Sequence, residues 1–137
     1  MASNARFERD SSLSPDVLWA ALTDVDRLGA WFDQLIDYGS SRLEFAAGSL
    51  LLFVAKDDHL LPALNGRVIR YEPPRLLEYT WGADTLRWQV AVTGRGCRLI
   101  LTVTRYGPGP VDRGRWEACL DRLDAILDGG GAAVSGR

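Results

Sequence analysis

An α+β fold is the architecture that this sequence of 137 residues predicts: a curved antiparallel sheet of about six or seven strands wrapped around a long C-terminal helix, with two short helices after the first strand. Three observations carry that expectation. Apolar residues recur at steps of three and four near the end of the chain and again around residues 17–32. Between those regions the period changes to two, in short runs separated by Gly, Ser, Pro and Asp. The connections between the runs are tight, and strands joined that tightly are antiparallel neighbours.

The elements follow in order. Asn4 to Asp10 alternate around Phe7 and Glu8 and predict a first strand. Ser14-Pro15-Asp16 is a helix start: a serine that accepts from an early backbone N–H, a proline suited to the first turn, and an acid at the positive end of the dipole. That helix runs through Val17, Leu18, Ala21 and Leu22, and Asp24 caps a second one, Val25 to Phe32, with Leu28, Trp31 and Phe32 on one side. The pair has a helix-turn-helix outline, but its second helix carries Arg27 as its single base and is apolar at its end. Gln34 to Tyr38, Arg42 to Ala46 and Leu50 to Ala55 read as strands, followed by a polar turn Lys56 to His59 and a packed connection Leu60 to Leu64 that contains Pro62. Asn65 to Tyr71, Leu76 to Trp81, Thr85 to Val92 and Cys97 to Tyr106 complete the sheet, with Pro73-Pro74, Gly82-Ala83-Asp84 and Thr93 to Gly96 as turns.

The last helix is predicted over Val111 to Asp128. Trp116, Cys119, Leu120, Leu123, Ile126 and Leu127 form its apolar stripe, and Asp112, Arg113, Glu117, Asp121, Arg122 and Asp124 its wet face. Gly129 to Gly131 is expected to end it, and Gly129 to Arg137 has the composition of a frayed tail beyond a single domain spanning 1–128.

Composition narrows the function classes. Sixteen basic residues are spread among eighteen acids, for a net charge of −2, so no basic stripe exists to track phosphates and nucleic acid is not an expected partner. The apolar run Leu50 to Ala55 falls far short of the ~18 residues of a membrane span. Cys97 and Cys119 form no CxxC pair, and the N-terminus lacks the pattern of a signal peptide, so reduced thiols and a cytoplasmic location are expected.

Signals for chemistry are absent. His59 sits alone in an acidic loop, and the cysteines have no metal-ligand spacing, so no metal or cofactor is predicted. Gly48-Ser49-Leu50 is not a nucleophile elbow, and Gly94-Arg95-Gly96 is explained by a hairpin turn. No catalytic residue is assigned.

A family resemblance rests on four blocks in order. They are Val17-Leu18-Trp19-Ala20-Ala21-Leu22-Thr23-Asp24 with Leu28 and Trp31-Phe32; Gly66-Arg67-Val68 leading to Pro73-Pro74-Arg75-Leu76-Leu77-Glu78-Tyr79-Thr80-Trp81; Gly96-Cys97-Arg98-Leu99; and Trp116 with Leu120-Asp121 and Leu123. Over roughly residues 5 to 128 the chain resembles the SRPBCC (START-like, helix-grip) superfamily. Within it the chain is similar to the bacterial single-domain branch named after the C-terminal domain of the heat-shock-protein ATPase activator, and also to polyketide cyclase-like members. That branch often has Gly directly before the helix Trp, whereas here Arg115 stands between Gly114 and Trp116. The resemblance implies a cavity between sheet and helix that holds lipids, sterols, plant hormones or polyketides in the superfamily, and that supports cyclase or dehydratase chemistry in a few members. The activator function belongs to larger eukaryotic proteins with an additional domain.

The residues add an aromatic signal. Five tryptophans are a high share for this length, and Trp31, Trp81, Trp88 and Trp116 fall on predicted inward faces. Each ring alone reads as core. Together, rings lining a bent sheet and a helix interdigitate poorly and leave an apolar pocket, of ~300 Å³ or more for a ligand site. The candidate lining is Trp31, Phe32, Tyr79, Trp81, Trp88, Trp116, Leu120 and Leu123, with Tyr79, Gln89, Arg67 and Tyr71 as polar tips that can orient a ligand. The expected partner is a small hydrophobic or amphipathic molecule. An enzyme acting on a polyketide-like substrate, or a chaperone-cofactor or protein-interaction module with a homodimer among its arrangements, are the other two readings the residues leave open.

Overall fold

The computed structural model describes residues 3–32, 36–54, 56, 64–107 and 109–134. Its elements run β1 (Ser3–Ser11), α1 (Pro15–Thr23), α2 (Val25–Trp31), β2 (Leu50–Phe53), β3 (Leu64–Glu72), β4 (Leu76–Trp81), β5 (Asp84–Val92), β6 (Cys97–Arg105) and α3 (Arg113–Val134). The strands form one antiparallel sheet in the order β1-β6-β5-β4-β3-β2. β2 to β6 are a meander. β1 closes the far edge by pairing with β6 along its whole length, from Ser3 opposite Arg105 to Ser11 opposite Cys97.

Local chemistry sets the element starts. Ser14 Oγ accepts from Val17 N at 3.4 Å and Asp24 Oδ1 accepts from Asp26 N at 3.0 Å, so both predicted caps are in place. Period-two alternation buries Asp84, Leu86, Trp88 and Val90 on β5 and Cys97, Leu99, Leu101 and Val103 on β6, all on the face toward the helices. Gly66 allows β3 to approach β4 closely, since a Cβ there would stand 2.0 Å from the Thr80 carbonyl oxygen.

Three expectations need correction. Arg42 to Ala46 is not a strand: Arg42 makes an isolated bridge to Leu52, and no ladder follows it. Past the bridge the backbone turns, with Ser49 N donating to the Ala46 carbonyl at 3.0 Å, and before it side chains tie the loop. Val54 N donates to Ser41 Oγ at 2.9 Å, Ser41 Oγ donates to the Asp37 carbonyl at 2.7 Å, and Ser40 Oγ donates to Asp37 Oδ2 at 3.0 Å. The strand expected over Gln34 to Tyr38 falls partly outside the described residues; in its described part Ile36 forms a single bridge, Asp37 N donates to the Val54 carbonyl at 2.7 Å, and Tyr38 opens the turn 38–40. The second correction concerns Ile126, which is 40 % exposed. At about 100° per residue it lies roughly 80° from the centre of the stripe made by Trp116, Cys119, Leu120, Leu123 and Leu127, at the rim. Third, α3 continues to Val134, past the glycines expected to stop it. Glycine disfavours a helix interior by only ~1 kcal/mol and does not forbid it.

The polar turn and the packed connection over residues 56–64, with His59, lie almost wholly outside the described residues. No helix among the described residues is long and apolar enough to cross a membrane.

Candidate functional site

At the seam between the sheet and α3, the end of α2 is tied to both α1 and α3. α2 ends on Trp31 and is capped by Phe32, whose N–H donates to the Leu28 carbonyl. Trp31 is pinned by its indole Nε1, which donates to the Ala21 carbonyl of α1 at 2.9 Å. From α3, Arg122 Nε donates to the Trp31 carbonyl at 3.1 Å and Arg122 Nη2 to the Phe32 carbonyl at 3.5 Å. A cation thus satisfies the last carbonyls of α2, where the dipole favours it. Arg122 belongs to the face read from the sequence as wet. Periodicity alone does not distinguish a solvated arginine from one that reaches across to a neighbouring helix end.

All eight predicted lining residues come together, each 6 % exposed or less. Trp31 meets Phe32 at 5.4 Å and Trp88 at 5.5 Å, both edge to face. Phe32 touches Trp81 at 5.6 Å and Trp116 at 6.0 Å, and Trp81 meets Trp116 at 5.6 Å. Leu120 and Leu123 of α3 are buried beside them. Trp116 is buried despite the intervening Arg115, whose guanidinium lies 5.4 Å over the Trp81 ring. The rings are in mutual contact, and this part of the seam is filled by its own side chains.

Of the four polar tips, Tyr79 alone faces the seam. Its hydroxyl accepts from Trp88 Nε1 at 3.3 Å, and burial pushes its pKa well above the usual phenol value, so it stays protonated. Gln89 points to the opposite face from Trp88, beside Pro15, Pro74, Leu76 and Ile100, in an open cleft of about 340 Å³. Arg67 is exposed, and Tyr71 packs at 6.0 Å on Trp19 of α1. Trp19, absent from the inward set read from the sequence, is buried at 8 % exposure.

Two further residues escaped the sequence reading. Asp84, expected in a turn, is the first residue of β5 and is buried at 9 % exposure, with Arg105 Nη1 3.5 Å from its Oδ1. Burial raises its pKa, and Arg105 and Arg115 oppose that rise in part. Extending the alternation Leu86, Trp88, Val90 back by two would have placed it on the inner face. Arg9 of β1 reaches across to α3, with Nη1 at 2.8 Å from Asp121 Oδ1 and 2.6 Å from Asp124 Oδ2, and Nη2 at 2.7 Å from Glu117 Oε2. No local pattern signals that contact, because its partners are more than 100 residues away.

Comparison with known proteins agrees with this geometry. The family model described as "Activator of Hsp90 ATPase homolog 1-like protein" matches residues 12–128. No curated protein matches the sequence. Among solved structures, the chain is similar to a protein from Rhodobacter sphaeroides (24 % identity, 93 % of each chain covered, TM-score 0.72). It is also similar to the AHSA1-like protein from Aeromonas hydrophila (19 % identity, 93 % of this chain and 94 % of that one, TM-score 0.77). A protein from Mesorhizobium loti is alike at 21 % identity, over 91 % of this chain and 96 % of that one, with a TM-score of 0.73. At these identities the likeness is one of fold, and the fold is the helix-grip arrangement.

Proposed function

Since the chain belongs to the activator of Hsp90 ATPase homolog 1-like family, we propose that it binds a small hydrophobic or amphipathic molecule in the seam between the sheet and α3. The observation that carries the reading is the gathering of Trp31, Phe32, Trp81, Trp88 and Trp116 with Tyr79 along one seam. A flat guest has to part these edge-on and tilted rings, and the ring contacts broken are then replaced by ring–guest contacts of the same kind. Phe32 sits at the hub of four of these rings and Trp116 is one turn from the start of α3, which makes that end the proposed point of entry.

Proton-transfer chemistry in the seam has less support. Tyr79, the ionisable group at its centre, is held protonated far above neutral pH and serves as a hydrogen-bond group. The test is a thermal-shift and tryptophan-fluorescence titration with flat aromatics and medium-chain fatty acids, paired with native mass spectrometry of protein purified without denaturation. A ligand at ten times its Kd should stabilise by about 1.4 kcal/mol, a rise of roughly 4–5 °C in Tm for a domain of this size. The absence of any shift, quenching or co-purified mass across both classes would overturn the proposal.

A further inference from the structure

Three buried side-chain polar atoms among the described residues have no hydrogen-bond partner: Ser3 Oγ, Trp81 Nε1 and Asp84 Oδ1. They fall in a single row of the sheet. Trp81 faces Asp84 across the β4–β5 hairpin, Asp84 faces Arg105 on β6, and Arg105 faces Ser3 on β1. More than about nine buried polar groups in ten find a partner, and each exception leaves its lost hydration uncompensated. Orphans scattered over the chain would be ordinary, but these share one row. The alternation that buries Tyr79, Leu86, Val103 and Ala5 puts that row on the face toward the helices.

The row is also the polar border of the aromatic seam. The Trp81 ring that carries one orphan touches Phe32 and Trp116. Over it lies the first turn of α3, with the Arg115 guanidinium 5.4 Å from the Trp81 ring centre and that of Arg113 4.8 Å from Phe7. Both arginines are exposed residues on long stems, so part of the cover is made of side chains able to swing aside. Arg105 Nη1 stands 3.5 Å from Asp84 Oδ1 without hydrogen-bond geometry, so that oxygen keeps its accepting capacity.

We propose that this row seats the polar head of the seam's ligand, and that the head is uncharged and both donates and accepts a hydrogen bond, as a hydroxyl or a carboxamide does. The inference rests on the hydrophobic-ligand reading above and names the class of molecule. An indole N–H only donates, so Trp81 asks for an acceptor; a carboxylate oxygen only accepts, so Asp84 asks for a donor; Ser3 serves either. A carboxylate head would satisfy Trp81 but bring a second negative charge to Asp84, and a cationic head would meet Arg105 and Arg115. A head that makes both bonds removes the desolvation costs of Trp81 Nε1 and Asp84 Oδ1. A plain hydrocarbon removes neither, which is the condition for strong selectivity.

The experiment compares naphthol, naphthoate and naphthalene as probes of one shape, by calorimetric titration and by the indole N–H resonances of nitrogen-15-labelled protein, with Trp81 assigned through Trp81→Phe. Naphthol should bind about tenfold or more tightly than naphthalene and move the Trp81 indole resonance downfield. Trp81→Phe, which removes the donor, and Asp84→Leu, which removes the acceptor, should each lower the ratio of naphthol to naphthalene affinity from about tenfold to within about threefold. Equal binding of naphthol and naphthalene with an unmoved Trp81 resonance overturns the head-group inference and leaves the hydrophobic-ligand reading standing. Tightest binding by naphthoate, strengthened by Asp84→Asn, overturns it as well. Failure of all three probes to bind removes the hydrophobic-ligand reading and this inference with it.

Discussion

Replacing Arg9 with Met tests how the sheet holds α3. The substitution keeps an unbranched stem of similar length and removes the charge, so packing is largely preserved. Burial disfavours the guanidinium charge, but the hydrogen bonds to Asp121 and Asp124 outweigh it and hold the group cationic. Arg9 is 22 % exposed, while Glu117, Asp121 and Asp124 are 48 %, 69 % and 37 % exposed, so solvent screens each pair and ~0.3–1 kcal/mol apiece is the appropriate scale. Removing the cation also leaves Glu117 beside Asp121 at i,i+4 and Asp121 beside Asp124 at i,i+3, which adds ~0.2–0.5 kcal/mol of repulsion for each neighbouring pair. The expected loss is about 2–3 kcal/mol, or a fall of roughly 6–10 °C in Tm. Urea unfolding followed by circular dichroism, at low salt and at about 1 M NaCl, separates charge from packing. The gap between parent and variant should shrink by at least half in high salt. A gap below about 0.5 kcal/mol, or one that salt leaves unchanged, would refute the reasoning.

Four other outcomes follow from the same structure. Trp116→Ala should cost ~3–5 kcal/mol by denaturant unfolding, because it empties a site between Phe32 and Trp81; a loss under about 1 kcal/mol would mean the ring does not bear on the core. Tyr79→Phe should cost ~1–3 kcal/mol with an unchanged m value, since it strands the buried Trp88 indole N–H, and a variant as stable as the parent would show that this bond contributes nothing. Asp84 has a folded-state pKa raised by burial, so the stability linked to it is complete below the unfolded value and is lost as pH rises through the folded one. Asp84→Asn should therefore stabilise the protein at neutral pH and converge with the parent near pH 3; a destabilised variant at neutral pH would make the Arg105 pair net favourable. Ending the chain after Asp128 should shift Tm by less than about 2 °C, given the Gly, Ala and Ser content that follows, and a larger fall would show that the turns up to Val134 are packed.

Much of this molecule is determined by local pattern. Ser14 and Asp24 cap their helices because a short side-chain oxygen ahead of an apolar repeat has a nearby orphan N–H to meet, and that relation spans three residues. The strand faces of β4, β5 and β6 follow from a period of two, and the eight seam residues from the sum of those faces with the stripe of α3. Periodicity fails where the partner is distant or where side chains replace the backbone. A turn closed by Ser49 N on the Ala46 carbonyl stands where Arg42 to Ala46 reads as a strand, Arg122 leaves the wet face to cap α2, and Arg9 crosses from the edge strand to three carboxylates of α3. Only the tertiary structure could decide the row of Ser3, Trp81, Asp84 and Arg105. Its members come from four strands, and neither the register that aligns them nor the missing partners of three of their atoms is a property of any local stretch.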